Sequence, residues 1–211
     1  MPLFKTINVS PKTQILVWKI TESFEELLLQ VVLKEKTQLR LQGMKSELHQ
    51  RAFLSVRMLL KELGYTDSEL HYDEFGKPYL HDGKYISITH SHQFSALIIS
   101  DETVGIDIEM QREKIIRIAD KFCDREFQFL EPEKIQEYIR KLTVIWGAKE
   151  SIFKIRNEKG ISFKDHIQVN TFEIEDQKTT AILEFGNLKQ QFSIYFEEIE
   201  NFTLVYAFEK I

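Results

Sequence analysis

The first half of the chain alternates between strand-like and helix-like patterns of apolar residues. Residues 13–20 are rich in β-branched and aromatic side chains and predict a strand, with Thr21 and Ser23 as candidate caps for the helix that follows. Helical spacing of apolar residues predicts helices over 24–41 and 47–63. Short apolar runs separated by Gly, Asp, Ser and His predict further strands at 78–80, 85–89, 94–100 and 104–109.

The second half repeats this order. Helices are predicted over 115–130, with a break near Cys123, and over 132–155; strands are predicted at 166–169, 179–185, 191–199 and 202–208. The repetition predicts an α+β protein made of two similar α/β subdomains, residues 1–103 and 104–211, packed pseudo-symmetrically. A shared active site is expected at their interface.

Charge and composition narrow the function classes. The net charge of −5 and a pI near 5.8 give no global basic field, so no nucleic acid is expected as a partner. One cysteine rules out an internal disulfide, and the N-terminal residues do not resemble a signal peptide. No apolar run reaches the length needed to cross a membrane. A cytoplasmic protein without membrane attachment is therefore expected.

Two carboxylates lie close together in the strand predicted at 104–109. Side chains alternate along a strand, so Asp107 and Glu109 emerge on one face. Neighbouring carboxylates repel each other unless a cation lies between them, and such hard oxygen ligands suit Mg²⁺. Gly105 is expected to let a ligand approach the backbone. Taken alone, the pattern fits an exposed edge strand with solvated acids better.

The end of the helix predicted over 132–155 carries a second charged group. Glu150 and Lys154 are four residues apart, which by itself predicts an ordinary helical ion pair. A second interpretation gives Glu150 to a metal ion beside Asp107 and Glu109, and Lys154 to a phosphate. Upstream, His90 and Ser91 end a strand where they could bind phosphate, while Gly76-Lys77-Pro78 predicts a turn.

The motifs GKP, ISITHS, VGIDIE and WGAKESIFK occur in that order, and together they resemble the 4'-phosphopantetheinyl transferases of the surfactin-synthetase-activating type over residues 51–161. The resemblance implies the fold of that family and a Mg²⁺-dependent transfer of phosphopantetheine from coenzyme A to a serine of an acyl or peptidyl carrier protein. It implies metal ligands at Asp107, Glu109 and Glu150. Two subdomains in one chain could build the whole site, so a monomer is expected.

The resemblance also implies roles for residues outside the metal site. Residues implied to bind coenzyme A are Lys77, Pro78, Thr89, His90, Ser91, Lys154, and either Arg51 or Arg57. Glu126 lies where the family has a glutamate proposed as general base, and Lys149 and a metal-bound water are the other candidates for removing the serine proton. An acidic carrier protein is expected to dock on the residues after VGIDIE, namely Lys114, Ile116, Arg117, Ile118, Lys121 and Phe122. A plain amphipathic helix without a docking role fits the same residues equally well.

Two other functions fit parts of the pattern. Acidic triads also serve other Mg²⁺-dependent enzymes that cleave phosphodiesters, and such an enzyme would hydrolyse its substrate without a carrier protein. A non-catalytic module would bind coenzyme A or a carrier protein without transfer. Asp107, Glu109, Glu150 and Lys154 are all present in the chain, which favours the transferase.

Overall fold

The computed structural model describes residues 3–210 and divides into two compact units, Met1–Glu102 and Thr103–Ile211. Each unit combines an antiparallel sheet with helices, so the mixed α and β composition agrees with the sequence prediction. Within residues 3–210, no helix is both long and apolar enough to cross a membrane.

The N-terminal unit is built on a four-stranded antiparallel sheet. Its elements are β1 Leu3–Ser10, β2 Thr13–Lys19, α1 Phe24–Leu28, α2 Glu35–Gln42, α3 Glu47–Glu62, β3 His71–Tyr72, β4 Pro78–Tyr79, β5 Tyr85–Ser91 and β6 Phe94–Ser100. The sheet order is β1-β2-β6-β5, and β3 pairs separately with β4. The apolar face of α3 packs on this sheet, because Leu54, Met58 and Leu60 join Leu16, Trp18 and Leu97 in one buried cluster.

The prediction of a single helix over 24–41 is wrong, because the structure has two helices there, α1 and α2, with an irregular segment between them. Of the two candidate caps, Ser23 caps α1, in a capping box with Glu26. The apolar residues Leu29 and Val32 are 88% and 91% exposed, so their helical spacing does not mark a buried face. Lys34 is held in extended backbone where its N–H donates to Asp67 and its ammonium to the Leu70 carbonyl.

The C-terminal unit has a five-stranded antiparallel sheet in the order β7-β11-β10-β9-β8. Its strands and α-helices are β7 Val104–Met110, α4 Ile135–Arg156, α5 Phe163–His166, β8 Ile167–Val169, β9 Lys178–Phe185, β10 Leu188–Ile199 and β11 Phe202–Glu209. The helix predicted over 115–130 is replaced by two 3-10 helices, Glu113–Lys121 and Arg125–Phe129, separated where the break was expected. The long helix α4 lies across β7 and β11 and covers the core.

Candidate functional site

The position of α4 on the sheet depends on two glycines. A Cβ at Gly105 would lie 2.0 Å from the carbonyl oxygen of Ser151, and a Cβ at Gly147 would lie 2.6 Å from the Val205 side chain. The helix backbone therefore approaches β7 and β11 more closely than any larger residue allows. The expectation that Gly105 admits a ligand is wrong, because α4 takes that space.

Because α4 packs closely on β7, the Glu150 carboxylate of α4 lies near the Asp107 and Glu109 carboxylates of β7. Asp107 and Glu109 alternate with the buried Ile106 and Ile108, so both acids emerge on the face of β7 that α4 covers. Glu150 is half-buried on α4. Burial and the nearby charges of Asp107 and Glu109 raise the pKa of Glu150 to about 7. The structure thus brings together the three acids that the sequence singles out.

Lys154, one turn after Glu150, is part of the same group. Its ammonium donates to Asp107 Oδ1 at 2.9 Å and to the Ile106 carbonyl at 2.8 Å. The charge of Lys154 also opposes the rise in the pKa of Glu150, although burial and Asp107 outweigh it. The ion pair of Lys154 is with Asp107 and not with Glu150, four residues earlier on α4, and with 28% of its side chain exposed the lysine faces solvent as well.

The donor set fits a hard divalent cation. Three carboxylates supply the oxygen ligands that Mg²⁺ prefers, and a cation among them would relieve the repulsion that raises the pKa of Glu150. No group of three or more His, Cys, Asp or Glu within residues 3–210 is arranged to hold a metal ion by itself. Mg²⁺ usually completes its shell with water and substrate phosphate oxygens, so a site of this kind needs no closed protein cage.

Glu126 and Lys149 form a separate, sealed ion pair. Their Oε1 and Nζ atoms are 2.7 Å apart, and the two side chains are 1% and 0% exposed. Glu126 also accepts hydrogen bonds from the backbone of Asp124 and Val169, and Lys149 donates to the carbonyls of Phe122 and Phe163. Their expected part in removing the serine proton stays a prediction, and this burial weighs against it, because neither group reaches solvent.

A small cavity lies beside Glu109 in the same unit. It has a volume of about 180 Å³ and is lined by Glu109, Met110, Arg112, Lys114, Ile115, Ile118 and Trp146. Lys114, Arg117 and Lys121 are exposed on the adjoining 3-10 helix, where the carrier-docking surface is expected. Phe122 cannot belong to that surface, because it is fully buried in the core.

In the N-terminal unit, some of the expected coenzyme A residues line a cavity of about 390 Å³. Its lining residues are Arg40, Met44, His49, Phe53, Val56, Arg57, Tyr72, Gly76, Pro78, Ile88 and His90. The turn predicted at Gly76-Lys77-Pro78 lies slightly earlier, at residues 73–76: Asp73 accepts hydrogen bonds from the backbone N–H groups of Phe75 and Lys77, Gly76 has a φ of 83°, and Pro78 already belongs to β4.

Other expected ligand residues lie elsewhere in this unit. Thr89 and Ser91 alternate with Ile88 and His90 along β5, so they are on the opposite face of the strand and are buried. Arg51 is not among the residues that line the cavity; it donates one long hydrogen bond, 3.4 Å, to the Ile20 carbonyl. Sequence reasoning missed Arg40, because no local motif marks a residue whose partners, Phe53 and Tyr72, lie far along the chain.

The chain that carries the carboxylate cluster and the N-terminal cavity can be compared with known proteins. Residues 103–207, which contain the carboxylate cluster and α4, match the family model of the 4'-phosphopantetheinyl transferase superfamily. Through this C-terminal half, the chain belongs to that superfamily. It is 30% identical over 128 residues to the 4'-phosphopantetheinyl transferase gsp of Aneurinibacillus migulanus. The match covers 60% of this chain and spans about half of that relative, 52% of its length.

Proposed function

We propose that the protein transfers the phosphopantetheine arm of coenzyme A to a serine of an acyl or peptidyl carrier protein, as the surfactin-synthetase-activating type of the family does. The observation that carries this proposal is the grouping of Asp107, Glu109, Glu150 and Lys154 on β7 and α4, within the span that matches the superfamily. The activity in the relative's name supports the same reaction.

Each residue of this group has a part in the proposed reaction. Asp107, Glu109 and Glu150 would hold Mg²⁺, which when bound neutralises the charge of the coenzyme A pyrophosphate. Lys154, which is partly exposed beside Asp107, would donate to a phosphate oxygen of coenzyme A. In the N-terminal unit, His90 and Pro78 contact the nucleotide part of coenzyme A in the cavity that they line.

The transfer itself exchanges one phosphorus–oxygen bond for another. The serine Oγ of the carrier bonds to the phosphorus that bears the pantetheine arm, and the bond from that phosphorus to 3',5'-ADP breaks, so 3',5'-ADP leaves with the electron pair. The serine proton would pass to a water molecule, because Asp107, Glu109 and Glu150 hold the cation and Glu126 and Lys149 are sealed in the core.

Intact-mass spectrometry tests this reaction. Apo carrier protein is incubated with coenzyme A, Mg²⁺ and the purified protein, and the expected result is a gain of one phosphopantetheine arm that is lost with EDTA and with Glu150→Gln. Release of 3',5'-ADP without a gain in carrier mass would point to a hydrolase. Binding of coenzyme A with neither product would point to a non-catalytic module.

A further inference from the structure

The short hairpin formed by β3 and β4 carries two histidines that the proposed reaction does not use. His71 pairs with Tyr79 across the two strands, and His81 follows Tyr79 by two residues. The ring centres of His71 and His81 are 4.3 Å apart, and the Tyr79 ring centre is 5.4 Å from each of them. The three rings therefore form one cluster on a single hairpin.

The two faces of this hairpin have different surroundings. Tyr72 pairs with Pro78, and both residues line the cavity of the N-terminal unit. Side chains alternate along a strand, so His71 and Tyr79 lie on the opposite face of the hairpin. Neither His71 nor His81 lines the cavity. A ligand of these histidines would therefore occupy a different place from a nucleotide in the cavity.

Both imidazoles are available to a ligand. His81 is exposed and His71 is half-buried. Across residues 3–210, neither imidazole makes a hydrogen bond or an ion pair, whereas the imidazole of His166 accepts a hydrogen bond from the Ser162 backbone. A neutral imidazole keeps a lone pair on one ring nitrogen, and imidazole nitrogen is the commonest protein ligand of transition metals.

We propose that His71 and His81 together bind a divalent transition-metal ion such as Zn²⁺, and that the bound ion fastens β3 to β4. Each Zn–N bond is about 2.0–2.1 Å long, so two imidazoles that share one ion have ring centres roughly 4.5–6 Å apart. A small rotation of the exposed His81 ring brings the observed 4.3 Å into that range. Water completes the shell, and Mg²⁺ does not compete because it prefers oxygen ligands.

The hairpin is a weak element that a bound ion would strengthen. β3 and β4 have two residues each and form a separate two-stranded sheet, and a ribbon of this size is marginally stable by itself. His71 belongs to β3 and His81 follows β4, so one ion links the two strands. Because Tyr72 and Pro78 line the cavity, the same link would hold one wall of the cavity in place.

Calorimetric titration of the untagged protein with Zn²⁺, in excess Mg²⁺, tests the site. His71→Gln and His81→Gln are each expected to weaken Zn²⁺ binding at least about tenfold, because each removes one of two ligands. His49→Gln is the matched control, since His49 belongs to another histidine pair, 6.3 Å from His90, and should change the affinity by less than about twofold. Thermal melts without Zn²⁺ check that every variant folds.

Hydrogen exchange tests the fastening. The backbone N–H of Asp73 donates to the Lys77 carbonyl and that of Gly76 to the Asp73 carbonyl, so both report on opening of the hairpin. Saturating Zn²⁺ should slow their exchange at least about fivefold in the wild type and leave it unchanged in His81→Gln. A wild type that binds no Zn²⁺, Zn²⁺ binding that survives both histidine substitutions, or bound Zn²⁺ with unchanged exchange would overturn the proposal.

Discussion

Two lysine–carboxylate pairs on α4 lie only five residues apart and differ in almost every other respect. Lys149 and Glu126 are sealed in the core, and each has backbone partners besides the other. Lys154 and Asp107 lie at the edge of the core, beside Glu109 and Glu150, and Lys154 is partly exposed. Both pairs have short, direct contacts, so geometry alone does not distinguish them.

Burial and surroundings distinguish the two pairs. Burial lowers the pKa of Lys149, and the charge of Glu126 opposes that effect, so the lysine has a counter-charge within an apolar environment. At Asp107 the balance is different, because one lysine faces three acids. The first pair therefore holds α4 to the Arg125–Phe129 segment and to β8, whereas the second retains unbalanced negative charge for a cation.

The largest expected effect on stability is at the sealed pair. Lys149→Met leaves Glu126 buried without a cation and should lower the free energy of unfolding by about 3–5 kcal/mol. Urea denaturation followed by circular dichroism measures this change. The double variant Glu126→Gln/Lys149→Met should regain most of the loss; a double variant as unstable as the single one would show that packing, not charge, is responsible.

A smaller loss of stability is expected at the contact between α4 and β7. In Gly105→Ala the new methyl group would overlap the Ser151 carbonyl, so α4 must shift, at a cost of about 1–3 kcal/mol. The shift also moves Glu150 away from Asp107, so phosphopantetheine transfer should fall more than stability alone explains. Gly186→Ala is a control with open space around its Cβ, although its positive φ adds some strain of its own.

At the carboxylate cluster, we expect a substitution that raises stability instead of lowering it, and the size of this effect depends on pH. The pKa of Glu150 is raised from 4.5 to about 7 in the folded protein, so its contribution to stability is full below pH 4.5 and is lost as the pH rises to about 7. In EDTA, Glu150→Gln should remove this loss and be more stable than the wild type at pH 8. Thermal melts of both proteins between pH 4.5 and 8 measure the difference, and parallel curves would contradict the assignment.

The smallest stability effect is expected at Lys154. Its pair with Asp107 is partly exposed, so Lys154→Gln should change the free energy of unfolding by less than about 1 kcal/mol. Its proposed contact with phosphate predicts a higher KM for coenzyme A. An unchanged KM, measured by release of 3',5'-ADP, would separate Lys154 from the substrate.

Local patterns in the sequence predict β7, α4 and the acids that they carry. Strand alternation at Asp107 and Glu109, and the apolar periodicity that leads to Glu150, are properties of short segments that survive in the structure. The break between α1 and α2 is not predicted, because it depends on the distant contacts of Lys34 with Asp67 and Leu70.

The residues whose surroundings the sequence does not predict all depend on long-range contacts. Glu126 pairs with Lys149, which lies further along the chain on α4. The partner of Arg40, Tyr72, lies beyond the whole of α3 in the sequence. No periodicity marks such pairs. The same limit applies to Phe122, whose burial against Trp146 follows from how α4 covers the core.

The most direct test compares the rate of phosphopantetheine transfer in a variant of the sealed pair with the rate in a variant of the carboxylate cluster. Each rate is corrected for the fraction of the protein that is folded. Phosphopantetheine transfer to a carrier protein is measured for the wild type, for Glu126→Gln/Lys149→Met and for Glu150→Gln. If the sealed pair supports the fold and the cluster carries the reaction, the double variant should stay within about fivefold of the wild type and Glu150→Gln should fall at least about a hundredfold. A folded but inactive double variant, together with an active Glu150→Gln, would contradict this account.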